Sequence, residues 1–570
     1  MLPHRRSRFS AATALLATVI SCLPTVLLHG ADGTWTLQPG GAGTSASGSW
    51  NTPGNWASGT TADGSGSTAD FSTLDVVFAG NGTANNVITL DAPRTIGNII
   101  FGDTNTATPG AWNLNAGTGT PSLNLAGATP TISVNSLGSG GFARINASIT
   151  GSDGLIKEGV GMLVLAGSNS YTGTTQVKTG TLRLLTSNGS SNSFVISTGA
   201  VLNFDTVNVI FTADTSGGGS ITKSSGVNTL SLLGNGTHTG GTALADGTIF
   251  MGTGTNNGLG TGTLSLNSGR LASVDNNSRT ITNTLSMGSG GIAFGAAQDA
   301  ATGLGNLTFT YAGTTSLGGS RTWTVNNATT ATFNNNWTGN NTWNVTKAGT
   351  GTLVFNGNIA TSSTVGVVVN AGVMILNGAT NSYAGVTTVS GGKLLINGTK
   401  SGVGAVNVTS GTLGGTGSIA GLTSLSSGGH ILGQSAGPLR FTGGLTLAAT
   451  GGGILDYELG AVSAADLLSI TAGTFTGNSS GLTQINITEL AGFGAGVYTL
   501  ANWTGATASD VDLTDFQLVN NTYSGGLTGS LQITGSKLEL VVVPEPQLGA
   551  LLLASVGLVA LGRRRRTTRS

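Results

Sequence analysis

The segment Lys157-Glu158-Gly159-Val160-Gly161-Met162-Leu163-Val164-Leu165-Ala166-Gly167 returns further along the chain as Lys347-Ala348-Gly349-Thr350-Gly351-Thr352-Leu353-Val354-Phe355-Asn356-Gly357. The two align without a gap at the lysine, at three glycines and at two apolar positions. A third copy, from Lys223 through Leu230-Ser231-Leu232-Leu233-Gly234, needs one inserted residue. The stretch after each copy also repeats. Asn169-Ser170-Tyr171-Thr172-Gly173-Thr174-Thr175 is mirrored by Asn381-Ser382-Tyr383-Ala384-Gly385-Val386-Thr387, and Gly236-Thr237-His238-Thr239-Gly240 holds the same place in the third copy. A finer pattern, glycine then one residue then an apolar one, recurs at Gly180, Gly199, Gly247, Gly269, Gly372, Gly392 and Gly411, mostly about 20 residues apart.

A unit of that length cannot bury a core by itself. Its alternating apolar residues, Leu163 and Leu165 or Leu182 and Leu184, supply one apolar face at strand spacing. Stacking each unit on the next solves the problem, so the pattern predicts an all-β solenoid of short-stranded coils, each adding about 4.8 Å to its length. Glycine belongs at the corners, where positive φ is needed. Threonine suits outward positions, and asparagine is expected to form ladders at turns. Lys157 and Lys347 recur at fixed phase, which predicts a structural role at the edge of a rung. The array is expected over residues 141–425. Residues 32–140, with Trp35, Trp50, Trp56 and Trp112, read as an N-terminal β region that caps one open end. Residues 426–542, with Leu455-Asp456-Tyr457-Glu458-Leu459, read as further strands that cap the other.

Composition agrees. Of 570 residues 96 are Gly, charged residues make up 8% and aromatics 5%, while the 38% hydrophobic content excludes a highly charged disordered chain. The net charge is zero, but basic residues gather at the two ends and the body is acidic, so a nucleic-acid partner is not expected. The one cysteine, Cys22, allows no intramolecular disulfide.

The two ends read as addresses. Arg5, Arg6 and Arg8 precede an apolar run from Ala11 to Leu28, the layout of a secretory signal over residues 1–31, handled by the Sec translocon and signal peptidase. At the other end, residues 543–570, Pro544-Glu545-Pro546 is followed by an apolar stretch from Leu548 to Leu561 and then by Arg563, Arg564, Arg565 and Arg566. The stretch is shorter than the roughly 20 residues of an ordinary spanning helix. With its flanks it reaches across under tilt, the arginines hold it, and the prolines keep the preceding motif extended. Contact with the membrane is expected only through this transient segment.

The C-terminal arrangement resembles the PEP-CTERM sorting signal of Gram-negative bacteria, which implies recognition and tail removal by an exosortase. The body resembles the autotransporter-associated β-strand repeat, carried by Lys157, Gly159, Gly161, Leu163, Leu165, Tyr171 and Gly173 and again by Lys347, Gly349, Gly351, Leu353, Tyr383 and Gly385. That resemblance implies a right-handed parallel β-helix. A C-terminal barrel of roughly ten-residue alternating strands is not apparent, which separates the chain from a true autotransporter.

Catalytic chemistry is sparse. His238 aligns with Tyr171 and Tyr383 and reads as a rung residue, and His430 sits in a Gly/Ser turn. No zinc or thiol spacing occurs. Asp205, Asp214, Asp246 and Asp275 are dispersed, and Asp456 and Glu458 read as an exposed strand face. The expectation is a non-enzymatic surface or extracellular-matrix protein, adhesin-like, with no cofactor, in contact with exopolysaccharide or other surface glycans. The alternatives are a polysaccharide-degrading enzyme on the same coil, which stacked carboxylates would allow, and an outer-membrane autotransporter passenger.

Overall fold

The computed structural model describes residues 30–38, 45–78, 86–186, 193–297, 300–311, 313–316, 319–339, 344–361, 365–433 and 437–545. Strands here are two to eight residues long, and nearly all pair in parallel with the strand one coil earlier and one coil later. Met162 pairs with Phe142 on one side and Thr181 on the other, a step of about 20 residues each way. The fold is an all-β parallel β-helix.

Three faces run along it. Face one is an eight-stranded sheet from Gly33–Thr34 to Thr215–Ser216, taken up again by an eleven-stranded sheet from Arg279–Ile281 to Phe516–Leu518. Face two is an eleven-stranded sheet from Gly48–Ser49 to Leu285–Met287, then a three-stranded one, then the sheet that begins at Thr380–Asn381. Face three holds a three-stranded sheet that includes Leu123–Leu125 and a fourteen-stranded sheet from Val209–Phe211 to Thr507–Ser509. In Thr181–Leu184 the residues alternate partly exposed and buried, with Leu182 and Leu184 inward. One continuous apolar core fills the lumen.

The expected boundaries at 140 and 425 correspond to no break. Phe142–Ile145 pairs with Ala111–Ala116 before it and Met162–Leu165 after it, and His430–Leu432 pairs with strands on both sides. The described residues of 32–140 and of 426–518 continue the same helix as further coils, and only the last strands depart from it. Their coils are longer: Thr68 pairs with Asn98, and Thr474 with Thr507. The 20-residue period that marks the middle of the sequence is therefore lost there, while the ladder continues.

Both ends are closed. At the first, Trp35, Trp50, Trp56 and Phe71 pack at 5.2–5.7 Å between ring centroids. Each indole N–H of Trp35, Trp50 and Trp56 donates to a backbone carbonyl, which lets three large rings be buried without an orphaned donor. At the second, Lys537–Pro544 pairs antiparallel with Gly496–Asn502 and with Leu527–Ile533, turning the last rung back on itself. Leu538, Leu540 and Val542 point into the core.

Candidate functional site

The recurring lysines occupy a different place from the expected rung edge. Lys157 and Lys347 have no solvent exposure. Strand alternation turns each side chain into the lumen, where its ammonium bends to the corner. Lys157 Nζ donates to the carbonyls of Glu158 (2.7 Å), Gly159 (2.7 Å) and, one coil on, Thr179 (3.1 Å). Lys347 repeats this with Ala348 (2.8 Å), Gly349 (2.7 Å) and Ala371 (3.1 Å). At a corner the ladder is interrupted and carbonyls lose their strand partners; one three-donor group satisfies three of them. Gly159 and Gly349, both at φ 74°, make the turn that aims those carbonyls inward. Lys223 ties the carbonyls of Asp205 (2.9 Å) and Ser225, and Lys400 those of Gly402 (2.7 Å) and Gly404 (2.8 Å). Burial pushes the pKa of Lys157, Lys347 and Lys400 down to about 8. Lys400 carried its own signal, Lys400-Ser401-Gly402-Val403-Gly404, with the Lys-x-Gly-x-Gly spacing of the other two.

The aromatic positions form a second corner device. Tyr171 Oη lies 2.8 Å from Thr175 Oγ1, and Tyr383 Oη 3.1 Å from Thr387 Oγ1. His238 takes the same role, Nε2 to Thr242 Oγ1 at 3.1 Å. Tyr311 adds a fourth case with Thr315 at 2.7 Å, missed in the sequence because its flanks diverge. At turns outside face one the expected asparagine ladder exists: Asn356, Asn377 and Asn397 each donate through Nδ2 to the Oδ1 of the preceding member, Asn334, Asn356 and Asn377, at 2.7–2.9 Å.

The dispersed acids stay apart. Asp205 pairs with Arg183 (2.9 Å), Asp275 with Arg279 (2.6 Å), and Asp214 holds Asn235. Among the described residues no group of three or more His, Cys, Asp or Glu side chains is placed to hold a metal ion, and no helix is long and apolar enough to cross a membrane. Pro544 ends its strand, exposed, and the Glu545 N–H donates to Gly526 O at 2.7 Å. Pro546, the apolar stretch and Arg563, Arg564, Arg565 and Arg566 lie outside the described residues, as does the N-terminal leader up to residue 29.

Stacking also assembles a polar cleft, of about 500 Å³, on the outside of face one near the C-terminal end. Leu395 and Leu432 line it, and both close over Gly414, where an added Cβ would meet their methyl carbons at 3.2 Å. Asp456, Glu458, Asp466, Tyr457 and Lys393 surround this apolar floor. His430 and Asp456, 26 residues apart, become neighbours on adjacent coils, with Nδ1 2.7 Å from Oδ2; Asn486 on the next coil donates to the other carboxylate oxygen at 2.8 Å. His430 is thus a strand residue with an acidic partner, where the sequence suggested an isolated turn. Asp456 belongs to a network and is no merely solvated acid. Asp466 accepts the Glu458 N–H at 2.8 Å and is nearly buried. The sequence concealed this cleft because its members come from separate coils.

The passenger-associated-transport-repeat family matches residues 155–184, 345–374 and 367–396. These three segments are similar to that repeat. The first matched repeat opens at the Lys157 corner and the second at the Lys347 corner, each taking in the next strand. The chain is similar to the adhesin BmaC autotransporter of Brucella suis biovar 1 (strain 1330), 32% identical over 194 residues, which is 33% of this chain and 5% of that protein. The chain therefore spans a small part of that relative's length. Among solved structures it is similar to the Hap adhesin of Haemophilus influenzae, at 13% identity and a TM-score of 0.33, over 84% of this chain and 64% of that one.

Proposed function

We propose that this chain is exported to the surface of a Gram-negative bacterium and works there, without enzymatic activity, as an adhesin-like rod. One observation carries the reading: on face three the outward residues Thr322, Thr346, Val368, Thr388, Asn407 and Ser424 form a file in register on six successive coils. At about 4.8 Å per coil such a file presents five hydroxyl or amide side chains in a line interrupted once, by Val368, suited to many weak contacts with a glycan chain. The repeat match and the similarity to an adhesin support the same reading. The test is retention of the purified chain on immobilised surface polysaccharides. Retention that weakens when Thr346, Thr388 and Ser424 are replaced together by Lys supports it. No retention on any polysaccharide, with unchanged attachment of cells lacking the chain, refutes it.

For processing, an exosortase acting at Pro544-Glu545-Pro546 fits the exposure of Pro544 just beyond the buried Leu538, Leu540 and Val542. A cut there removes the tail and keeps the closing hairpin. The repeats equally favour delivery as an autotransporter passenger. Intact mass of the extracellular protein separates the two: a C-terminus near residue 546 supports exosortase processing, and an outer-membrane form that retains all residues supports the passenger route.

A further inference from the structure

A second cleft, of about 550 Å³, opens on the outside of face three and lies within the ~300–1,000 Å³ range of ligand pockets. The polar strip that begins at Thr322 runs into it. Ile292 pairs with Trp323, so Gly291 stands beside Thr322 on the preceding coil, and Ser268, Gly291 and Thr322 all line the cleft. Gly291 puts no side chain there. A Cβ added to it would meet nothing nearer than Thr322 O at 3.5 Å, so the hollow opens directly above the backbone. Arg270 forms one wall. Its side chain reaches past Ala293, its partner on the next coil, and Nη1 donates to the carbonyls of Gly295 (2.8 Å) and Ala296 (2.7 Å). Those two bonds fix the guanidinium plane and leave Nε and Nη2 as an open edge: among the described residues neither has a partner, and neither is sealed from solvent. No carboxylate of the described residues pairs with this half-buried cation, and burial pushes its pKa below the ordinary arginine value. Asp246 also lines the cleft, but its Oδ1 accepts the Gly247 N–H at 2.7 Å and its charge acts on Lys223. Two parallel N–H donors on a planar cation match the two oxygens of a carboxylate.

We propose that this cleft holds an acidic sugar of a glycan chain lying along face three, its carboxylate bidentate on Arg270 Nε and Nη2 and its hydroxyls bonded to Ser268, Thr322 and Thr324. The inference rests on the glycan-binding reading and deepens it. The strip supplies many equal contacts that any polyhydroxylated chain can make. The cleft supplies one contact that favours uronate chains over neutral ones, because the carboxylate brings the counter-charge that Arg270 lacks within the protein. Val227, 95% exposed at the rim, offers an apolar edge to the C–H face of the ring.

The experiment is calorimetric titration of the full-length chain with hexagalacturonate and with its fully methyl-esterified form, which keeps the shape and removes the charge. The acid is expected to bind about tenfold more tightly than the ester. Arg270→Gln should weaken binding of the acid about tenfold and leave the ester unchanged. Arg270→Lys, which keeps the charge without the two-donor edge, should weaken it about threefold. Asp246→Asn keeps the acceptor for the Gly247 N–H, removes the opposing charge and should strengthen it about threefold. Gly291→Leu fills the hollow, leaves Arg270 in place and has room for its Cβ, so circular dichroism should stay unchanged while binding of the acid is lost. No binding of the acid, equal binding of acid and ester, or indifference to Arg270→Gln and Gly291→Leu overturns the proposal. Retention on neutral polysaccharides that responds to the Thr346, Thr388 and Ser424 replacement but not to Arg270→Gln would keep the strip and refute the cleft. Uronate binding that depends on Arg270, without retention on any surface polysaccharide, would keep the cleft and refute the adhesin reading.

Discussion

His238 makes the array acid-labile at one defined coil. The residue is fully buried, with Nδ1 2.8 Å from Thr215 Oγ1 and Nε2 3.1 Å from Thr242 Oγ1. Thr242 gives its own hydroxyl proton to Leu259 O at 2.8 Å, so it accepts from His238, and the proton sits on Nε2. Nδ1 then accepts from Thr215, and the neutral ring is satisfied at both nitrogens. Burial pushes the pKa down from 6.5 to about 4. The unfolded chain thus takes up the proton first as pH falls. Stability is fully present above pH 6.5 and declines from there down to about pH 4. A gap of about 2.5 units at ~1.36 kcal/mol per unit amounts to about 3 kcal/mol. The perturbation is His238→Gln, whose amide keeps a donor and an acceptor and does not titrate. In a repeat array local stability is the right measure, so the assay is hydrogen exchange at the Thr242 amide, which donates to Thr263 O at 3.0 Å. Corrected for intrinsic rates, wild-type protection should fall by about 3 kcal/mol between pH 6.5 and 4, and the variant's by much less. An equal fall in both proteins would show that His238 is not held neutral, and the tautomer argument would fail with it.

The corners and the lumen supply three further tests. Lys347→Met leaves three carbonyls without a donor and should cost about 3 kcal/mol at pH 7. The folded pKa of about 8 lies below the unfolded 10.5, so the unfolded chain holds the extra proton between them and wild-type stability rises across that window; urea unfolding at pH 7, 9 and 10.5 should show the variant lacking one proton's share of that rise. Gly349→Ala is strained at φ 74° and would drive its methyl into Val325 O, costing several kcal/mol, whereas Gly199→Ala at φ 82° meets open space and should cost about 1 kcal/mol in the same unfolding assay. Arg321 is buried with Nη1 and Nη2 unpaired, so Arg321→Met should hold or raise the melting temperature; a marked drop would refute the unpaired state.

The strands were legible because each carries its own evidence. The alternation of Leu163 with Leu165 and of Leu182 with Leu184 fixes which side is inward, and glycine spacing fixes where the chain turns. Three things were hidden. Coils near both ends, and a few in the middle, run to about 30 residues, so a period of about 20 did not report them. Lysine, read by its usual preference for solvent, was assigned to an edge, since nothing in a linear pattern shows that three carbonyls converge on one point. The cleft depends on register: His430 meets Asp456 only because Leu432 pairs with Asp456 and not with its neighbour.

The corner lysines also show what the repeat specifies. Lys157 turns the chain from face one to face two, Lys223 and Lys400 from face two to face three, and Lys347 from face three to face one. If the repeat encoded a whole coil, every copy would sit at one corner. Instead the lysine serves a corner alone, its ammonium satisfying inward carbonyls: Lys157 and Lys347 do so beside a positive-φ glycine two residues on, Lys223 beside one three residues on, and Lys400 without one. All three corners of a parallel coil pose the same problem, so the same local answer serves at each. Moving the motif between corners needs only a change in the residues between copies, and it leaves the ladder unbroken. Copies can therefore be separated by non-integral numbers of coils, as Lys157 and Lys223 are, while the core stays continuous.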